Sequence, residues 1–295
     1  MDGRKGAPKR VANKLSEAEQ ALVVKTAGEK RFMDLTPHEI VPILAEEGRY
    51  LASESSFYRC LRLFKFVKPK KKILRQVQAI ELKAERPHQL WSWDITYLKT
   101  FIRGRFFFLY LIVDIFSRFI MGWEIHESEE AKAAREFVDR VCREHGIERD
   151  TLILHSDNGG PMKNGTMLAT LQRLGVVGSF SRPNVSNDNA FSESLFKTLK
   201  YTAGYPVQFE SIEEARNWVS RFVKWYNTEH RHSGIGYVTP EQRYLGLDKA
   251  ILVNRKAAFE AARLAHPERW SGPTRNCDWV QEVWLKKSNR KEKCA

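Results

Sequence analysis

The sequence predicts an α/β protein: a mixed five-stranded sheet flanked by helices, preceded by a helical arm and followed by a helical tail. Three observations carry this reading. Three β-rich runs follow one another through short connections between Gln89 and Ile125. Helical patterns and short apolar runs then alternate from Ser128 onward. Helical periodicity marks both flanks, over residues 16–64 and 211–265.

Residues 1–14 are basic, contain Gly and Pro, and read as disordered. Ser16 starts a helix. Thr36, with Pro37 next and Glu39 at the third position on, is a capping-box start, and Ile40, Ile43 and Leu44 then share one face until Gly48. Ser53 opens another helix whose face carries Phe57, Cys60, Leu61 and Phe64. Two helices joined by a short turn, the second bearing Arg59 and Arg62, match a helix-turn-helix over residues 15–67; an ordinary helical hairpin fits the same pattern. The stretch 65–72, KFVKPKKK, leads a basic linker (68–86) whose Lys70, Lys71 and Lys72 could track a phosphate backbone, although charge runs are usually only solvated.

The pattern changes near Pro87, which begins a core expected to run over 87–247. Strands are expected at 89–99, 105–114 and 118–125. A helix capped by Ser128 follows over 128–146, with Ala131, Ala134, Phe137, Val138 and Val141 inward. The run TLILHS (151–156) reads as a buried parallel strand. Next come a helix near 166–174, a strand at 176–180, a polar loop over 181–188 and a helix from Asn189, for which Asp188 and Asn189 are the expected caps. Three hairpin-linked strands followed by alternating α/β units is the ribonuclease H-like arrangement. An amphipathic helix at 211–229 follows, and residues 248–295 hold a helix (249–265) and a Trp-containing tail expected to fray at its end.

The 295 residues carry 49 Lys and Arg against 36 Asp and Glu, a net charge of +13, and are 42% hydrophobic. That excess points to a polyanionic partner, nucleic acid first and an anionic membrane second. Residues 1–80 hold 17 of the cations against 9 acids, which concentrates the excess in the arm. No apolar run approaches the ~18–20 residues that span a bilayer, and the N-terminus has no signal core, so a cytoplasmic protein with no membrane partner is expected. The four cysteines lack CxxC spacing and read as reduced, with Cys60 and Cys142 in the core.

Asp94 lies in a strand interior, where Asp is disfavoured. Asp157 falls where TLILHS ends, at the carboxyl edge where open α/β sheets place ligands. Glu193 sits early in a helix, with Lys197 and Lys200 on its own face at i+4 and i+7. Three converging carboxylates need a neutralising cation, and an all-oxygen set suits Mg2+ or Mn2+ rather than zinc. Two such ions would serve displacement at a phosphodiester, with Lys197 and Lys200 placing DNA phosphates beside them. A surface ion pair between Glu193 and Lys197 is the plainer alternative.

The words WSWDITYL at Asp94, HSDNGGPM at Asp157 and SRPNVSNDNAFSESLFKTLK at Glu193 occur in this order, with 35 residues between Asp157 and Glu193. With LIVDIFSRFIMGWEI and WYNTEHRHSGIGYVTP, they resemble the retroviral-integrase-like transposases of bacterial insertion sequences, the OrfB-type catalytic product of two-reading-frame elements, over roughly 35–245. The resemblance implies that Asp94, Asp157 and Glu193 are the acidic (DDE) triad of a metal-dependent polynucleotidyl transferase. It implies cleavage at element ends to expose a 3′-hydroxyl, strand transfer into a target, and thereby DNA integration and recombination. It also implies a homo-oligomer on double-stranded DNA in the bacterial nucleoid, and an upstream OrfA partner or frameshift fusion; the absence of a heptad run fits a downstream half. A ribonuclease H-like nuclease that never joins, and a domesticated non-catalytic DNA-binding protein, are the alternatives; all three acids being present argues against the second.

Other residues carry weaker readings. Asp114 is expected to bond Arg118 or the adjacent turn rather than a metal, and His155 to be a satisfied buried histidine, to orient the site or to contact DNA. Asn158, Gly159 and Gly160 are expected to shape the turn at Asp157. Trp225, Tyr226, Asn227, His230 and His232 form a polar-aromatic cluster, for packing or for docking a partner.

Overall fold

The alternation that predicts the first strand puts Trp91, Trp93 and Ile95 on one face and Ser92, Asp94, Thr96 and Leu98 on the other. A computed structural model of the chain, which describes residues 14–32, 35–63, 82–157, 164–181 and 189–285, bears this out. Its principal elements in chain order are α1 (Glu17–Ala27), α2 (Pro37–Glu46), α3 (Glu54–Leu63), β1 (Lys83–Ala84), β2 (Leu90–Lys99), β3 (Phe106–Asp114), β4 (Ile120–His126), α4 (Ala131–Glu144), β5 (Ile153–Ser156), α5 (Gly165–Leu174), β6 (Val177–Phe180), α6 (Ala190–Tyr201), α7 (Ile212–Thr228), α8 (Pro240–Tyr244), α9 (Asp248–Ala265) and β7 (Val283–Trp284).

The chain divides into two compact units. One draws on residues 1–73, 233–238 and 247–279. Its helices start where capping chemistry says they should. The Glu19 carboxylate accepts from the Ser16 amide at 2.8 Å, and that of Glu39 from the Thr36 amide and hydroxyl at 2.8 and 2.7 Å. Gly48 takes the left-handed conformation just past α2. Val23, Ile40, Leu44 and Phe57 form a core with Leu252 and Phe259 of α9. Arg255 is buried there and pairs with Glu46.

The other unit draws on residues 74–232, 239–246 and 280–295 and contains a five-stranded sheet in the order β4-β3-β2-β5-β6. β2 runs antiparallel to β3 and parallel to β5; β3–β4 is antiparallel and β5–β6 parallel. This is the ribonuclease H-like fold. Each sheet face has its own core. Trp91, Trp93, Tyr110 and Ile112 meet Phe137, Val138 and Val141 of α4 and Met167 and Leu171 of α5. Leu98, Leu109, Leu111 and Val113 meet Leu195 and Leu199 of α6 and Val219 and Phe222 of α7. The buried Asn227 amide both accepts from and donates to the Ile120 backbone, at 2.9 and 3.2 Å, tying α7 to β4. Cys60, Cys142 and Cys277 are buried free thiols.

One local expectation changes. Ser128 does not cap α4: its hydroxyl donates to the Glu130 carboxylate at 2.6 Å, and the helix starts at Ala131 with Glu130 as its N-cap. Asp114 binds the adjacent turn, one of the two readings its position allows. One carboxylate oxygen accepts from the Ser117 amide and hydroxyl at 2.7 and 2.6 Å, the other from the His88 amide at 3.0 Å. The tail also has order before its end, because β7 pairs antiparallel with β1; residues 286–295 lie outside the described residues. No described helix is long and apolar enough to cross a membrane.

Gly122 tests the packing of β4 on α4. A Cβ there would collide with the Val141 side chain, so Gly122→Ala should destabilise the protein by about 1–3 kcal/mol. The urea unfolding midpoint measures this.

Candidate active site

Small polar groups on one face of β2 hold both ends of α6. The Ser92 hydroxyl donates to the Asn189 side-chain oxygen and lies 2.7 Å from the Ser192 hydroxyl. The Asn189 amide donates to the Trp93 carbonyl at 3.2 Å. Two residues beyond Asp94, the Thr96 hydroxyl accepts from Lys200 Nζ at 2.8 Å. Four strand residues span ~13 Å, and the eight helix residues from Ser192 to Lys200 span ~12 Å. The helix therefore runs along the strand, and the turns carrying Glu193 and Lys197 lie over Asp94. Asn189 stands at the N-cap position, but its side chain is spent on β2 and makes no cap bond; Asp188 lies outside the described residues.

Asp157 reaches the same place by register. β2 and β5 pair in parallel as Leu90–Ile153, Trp91–Leu154 and Ser92–His155. Asp94 lies two residues past Ser92, and Asp157 two past His155, just beyond the end of β5 at Ser156; the charge of Asp157 acts on Asp94. His155 is fully buried, with Nδ1 3.1 Å from the Ser179 hydroxyl and Nε2 3.4 Å from that of Ser181, which is the satisfied-core reading.

The electrostatics agree. Asp94 is half-buried and its carboxylate accepts from the Ile95 amide at 2.8 Å. Burial first, then the negative charges of Asp157, Glu193 and Glu129, push its pKa up to about 7. Glu129, whose carboxylate accepts from the Tyr97 hydroxyl at 3.4 Å, is a fourth acid that the sequence does not single out. The donor set is all oxygen and mutually repulsive, which fits a hard divalent cation. The carboxylates share a field but do not close into a shell: among the described residues no three His, Cys, Asp or Glu side chains stand close enough to hold an ion.

Residues 84–186 match the integrase core domain model, and residues 174–240 match a second integrase core domain model. This chain carries an integrase core domain. Its relatives include the transposase for insertion sequence element IS904 of Lactococcus lactis subsp. lactis (strain IL1403), 33% identical over 161 residues that make up 54% of this chain and 62% of that protein. Transposase InsF for insertion sequence IS3A of Escherichia coli (strain K12) is 32% identical over 160 residues, 54% of each. The matched segment spans little more than half the length of these curated relatives. Both of these relatives are insertion-sequence transposases, and what this chain shares with them is the segment that holds the integrase core. A solved structure of the simian T-cell lymphotropic virus intasome in complex with PP2A regulatory subunit B56 gamma overlaps it in part, with TM-score 0.46 and 16% identity over 65% of this chain and 67% of that one.

Around the integrase core acids, Glu193, Lys197 and Lys200 are all exposed on α6. Burial, then the charge of Lys99, lowers the pKa of Lys200. Arg59 and Arg62 are exposed on α3, in the other compact unit. Lys70, Lys71, Lys72, Asn158, Gly159 and Gly160 lie outside the described residues. Tyr226 and Asn227 are buried, and His230 stacks on Tyr226 at 5.1 Å, so this part of the polar-aromatic cluster packs the core.

A carboxyl with a raised folded pKa binds more protons folded than unfolded, so its contribution to stability falls as pH rises between the two values. For metal-free Asp94 that window runs from the ordinary 3.8 to about 7. Asp94→Asn should therefore melt with the native protein at pH 4 and above it at pH 8. Thermal unfolding at the two pH values in EDTA checks this.

Proposed function

We propose that the chain is a DNA transposase that cuts the ends of an insertion element to expose a 3′-hydroxyl and joins that hydroxyl to a target phosphodiester. The observation that carries this is Asp94, a half-buried carboxyl pushed up to about 7 with Asp157 and Glu193 among the charges acting on it, within an integrase core domain. Asp94, Asp157 and Glu193 are assigned as the catalytic carboxylates and the ligands of one or two Mg2+ or Mn2+ ions. When bound, such ions activate the attacking oxygen and stabilise the leaving one.

The protein's own task is positioning. β2 and β5 supply two carboxylates from rigid neighbouring strands, and α6 brings the third along β2. Lys197, one turn beyond Glu193, is placed to contact a DNA phosphate beside the reacting bond. Lys200 spends one ammonium proton on Thr96 and keeps two for phosphate. Arg59 and Arg62 on α3, in the region proposed as a helix-turn-helix (15–67), and Lys70, Lys71 and Lys72 in the proposed linker (68–86), are assigned to hold the element end. The proposed catalytic core runs over 87–247. The working species is taken to be an oligomer on DNA, with an OrfA partner or fusion supplying further end binding.

The test is incubation with Mg2+ and labelled element ends, which should give nicked and strand-transferred products. Glu193→Gln should lower both by at least about 100-fold, since even partners outside the metal's immediate ligands cost about 10–100-fold, while a gel-shift titration shows DNA affinity unchanged. Undiminished joining by the variant sinks the assignment.

Affinity for DNA should also fall linearly on a log–log salt plot. Replacing Lys70, Lys71 and Lys72 together by Ala should flatten that slope by about 2–3, at about 0.9 per lost phosphate contact. An unchanged slope removes these lysines from the interface.

A further inference from the structure

The helix that carries Glu193 lines a second feature on another of its sides. Phe191, Ser194 and Thr198 of α6, with Arg118, Tyr226 and His232, border a recess of about 220 Å3. Glu193, Lys197 and Lys200 do not line it. At 100° per residue, the recess-lining positions centre about a quarter-turn or more around the helix from the acidic face.

Arg118 is what makes this recess chemically distinctive. Only 7% of the residue is exposed. Its backbone takes the left-handed conformation at φ 70°, which is costly for a residue with a Cβ. Its Cζ sits 3.9 Å from the centroid of the Phe191 ring, a cation–π contact that holds the guanidinium plane. Nε and Nη1 are both buried and have no hydrogen-bond partner among the described residues. The nearby carboxylate of Asp114 is already committed to Ser117 and to the His88 amide, and Arg243 adds like charge. A guanidinium stays charged at neutral pH and has only donors to offer. Buried donors of a charged group left without acceptors are costly, and a bound ion or water is among the things that complete them.

The remaining walls favour an oxyanion with several acceptor oxygens. Ser194 contributes a hydroxyl. Ala190 and Phe191, which also border the recess, are the first residues of a 12-residue helix whose N-cap side chain is turned away to β2. That places the positive end of the helix beside the guanidinium. Guanidinium, hydroxyl and helix N-terminus together form a donor set suited to phosphate.

We propose that this recess is a phosphate-binding site separate from the carboxylates, in which Arg118 is the principal ligand for a phosphoryl oxyanion, either free phosphate or a backbone phosphate of DNA. Only the DNA source rests on the transposase reading; the free-phosphate source does not.

Equilibrium dialysis of the full chain in EDTA against radiolabelled inorganic phosphate should show one saturable site. Arg118→Met should weaken it at least tenfold and lose the rise in melting temperature that phosphate gives the native protein. In phosphate-free buffer the same variant should melt no lower than native, because it removes a buried charge without a partner. Ser194→Glu, a surface change that sets a carboxylate beside the guanidinium, should block phosphate uptake in a protein that melts like native. Glu193→Gln should bind phosphate as native does, which keeps this site distinct from the acids. Displacement of bound phosphate by an unlabelled random-sequence duplex assigns the backbone source; retention assigns free phosphate. Native-like phosphate binding by either Arg118→Met or Ser194→Glu, or the absence of a saturable site in the native chain, overturns the proposal.

Discussion

Ser92 and Thr96 flank Asp94 on one face of β2, and between them they hold α6 by its two ends. The placement of the acids follows from that attachment. A helix lying on a sheet through apolar contacts alone can slide by a ridge with little penalty, since leucine against leucine is tolerant of shift. Hydrogen bonds at both ends remove that freedom, because sliding would leave the buried hydroxyls of Ser92 and Ser192 and the amide of Asn189 without partners, at about 1–3 kcal/mol each. Glu193 is thereby fixed in height over Asp94, while the parallel pairing of β2 with β5 fixes Asp157 beside it. Strand register and helix register are set independently and meet at one carboxyl.

The same placement carries a cost that the fold must absorb. Burial first, and then the like charges of Asp157, Glu193 and Glu129, disfavour the ionised form of Asp94, which holds its proton up to about 7. A protein selected only for stability would put a neutral residue at this position, as it does at Ser92 and Thr96. The apolar layers on the two faces of the sheet supply the stability that tolerates the strain, and a bound cation, as proposed, would relieve it.

Much of this was legible from residue patterns because the signals are local. Alternation from Trp91 to Leu98 sets the faces of β2, and an Asp in that run stands out against strand preference. The Ser16–Glu19 and Thr36–Glu39 pairs read directly as helix starts. Thr239, Pro240 and Gln242 form the same kind of start for α8. Other features leave no local trace. Ser128 and Asn189 have the right chemistry for caps, yet each side chain finds a stronger partner, Glu130 for the first and β2 for the second. The β1–β7 pairing joins two-residue segments nearly two hundred positions apart. Arg118 looks like one more turn cation until the fold encloses it against Phe191 with two donors unmet.

Metal-directed backbone scission tests most directly the proposal that Asp94, Asp157 and Glu193 surround one place that takes a divalent ion. Fe2+ replaces Mg2+ or Mn2+ at an oxygen-ligand site, and with ascorbate and peroxide it cuts the chain only where it is bound. Fragments ending near residues 94, 157 and 193 are expected, suppressed by excess Mg2+ and lost in Asp157→Asn. Cuts confined to other segments, or the same three cuts persisting in that variant, would contradict it.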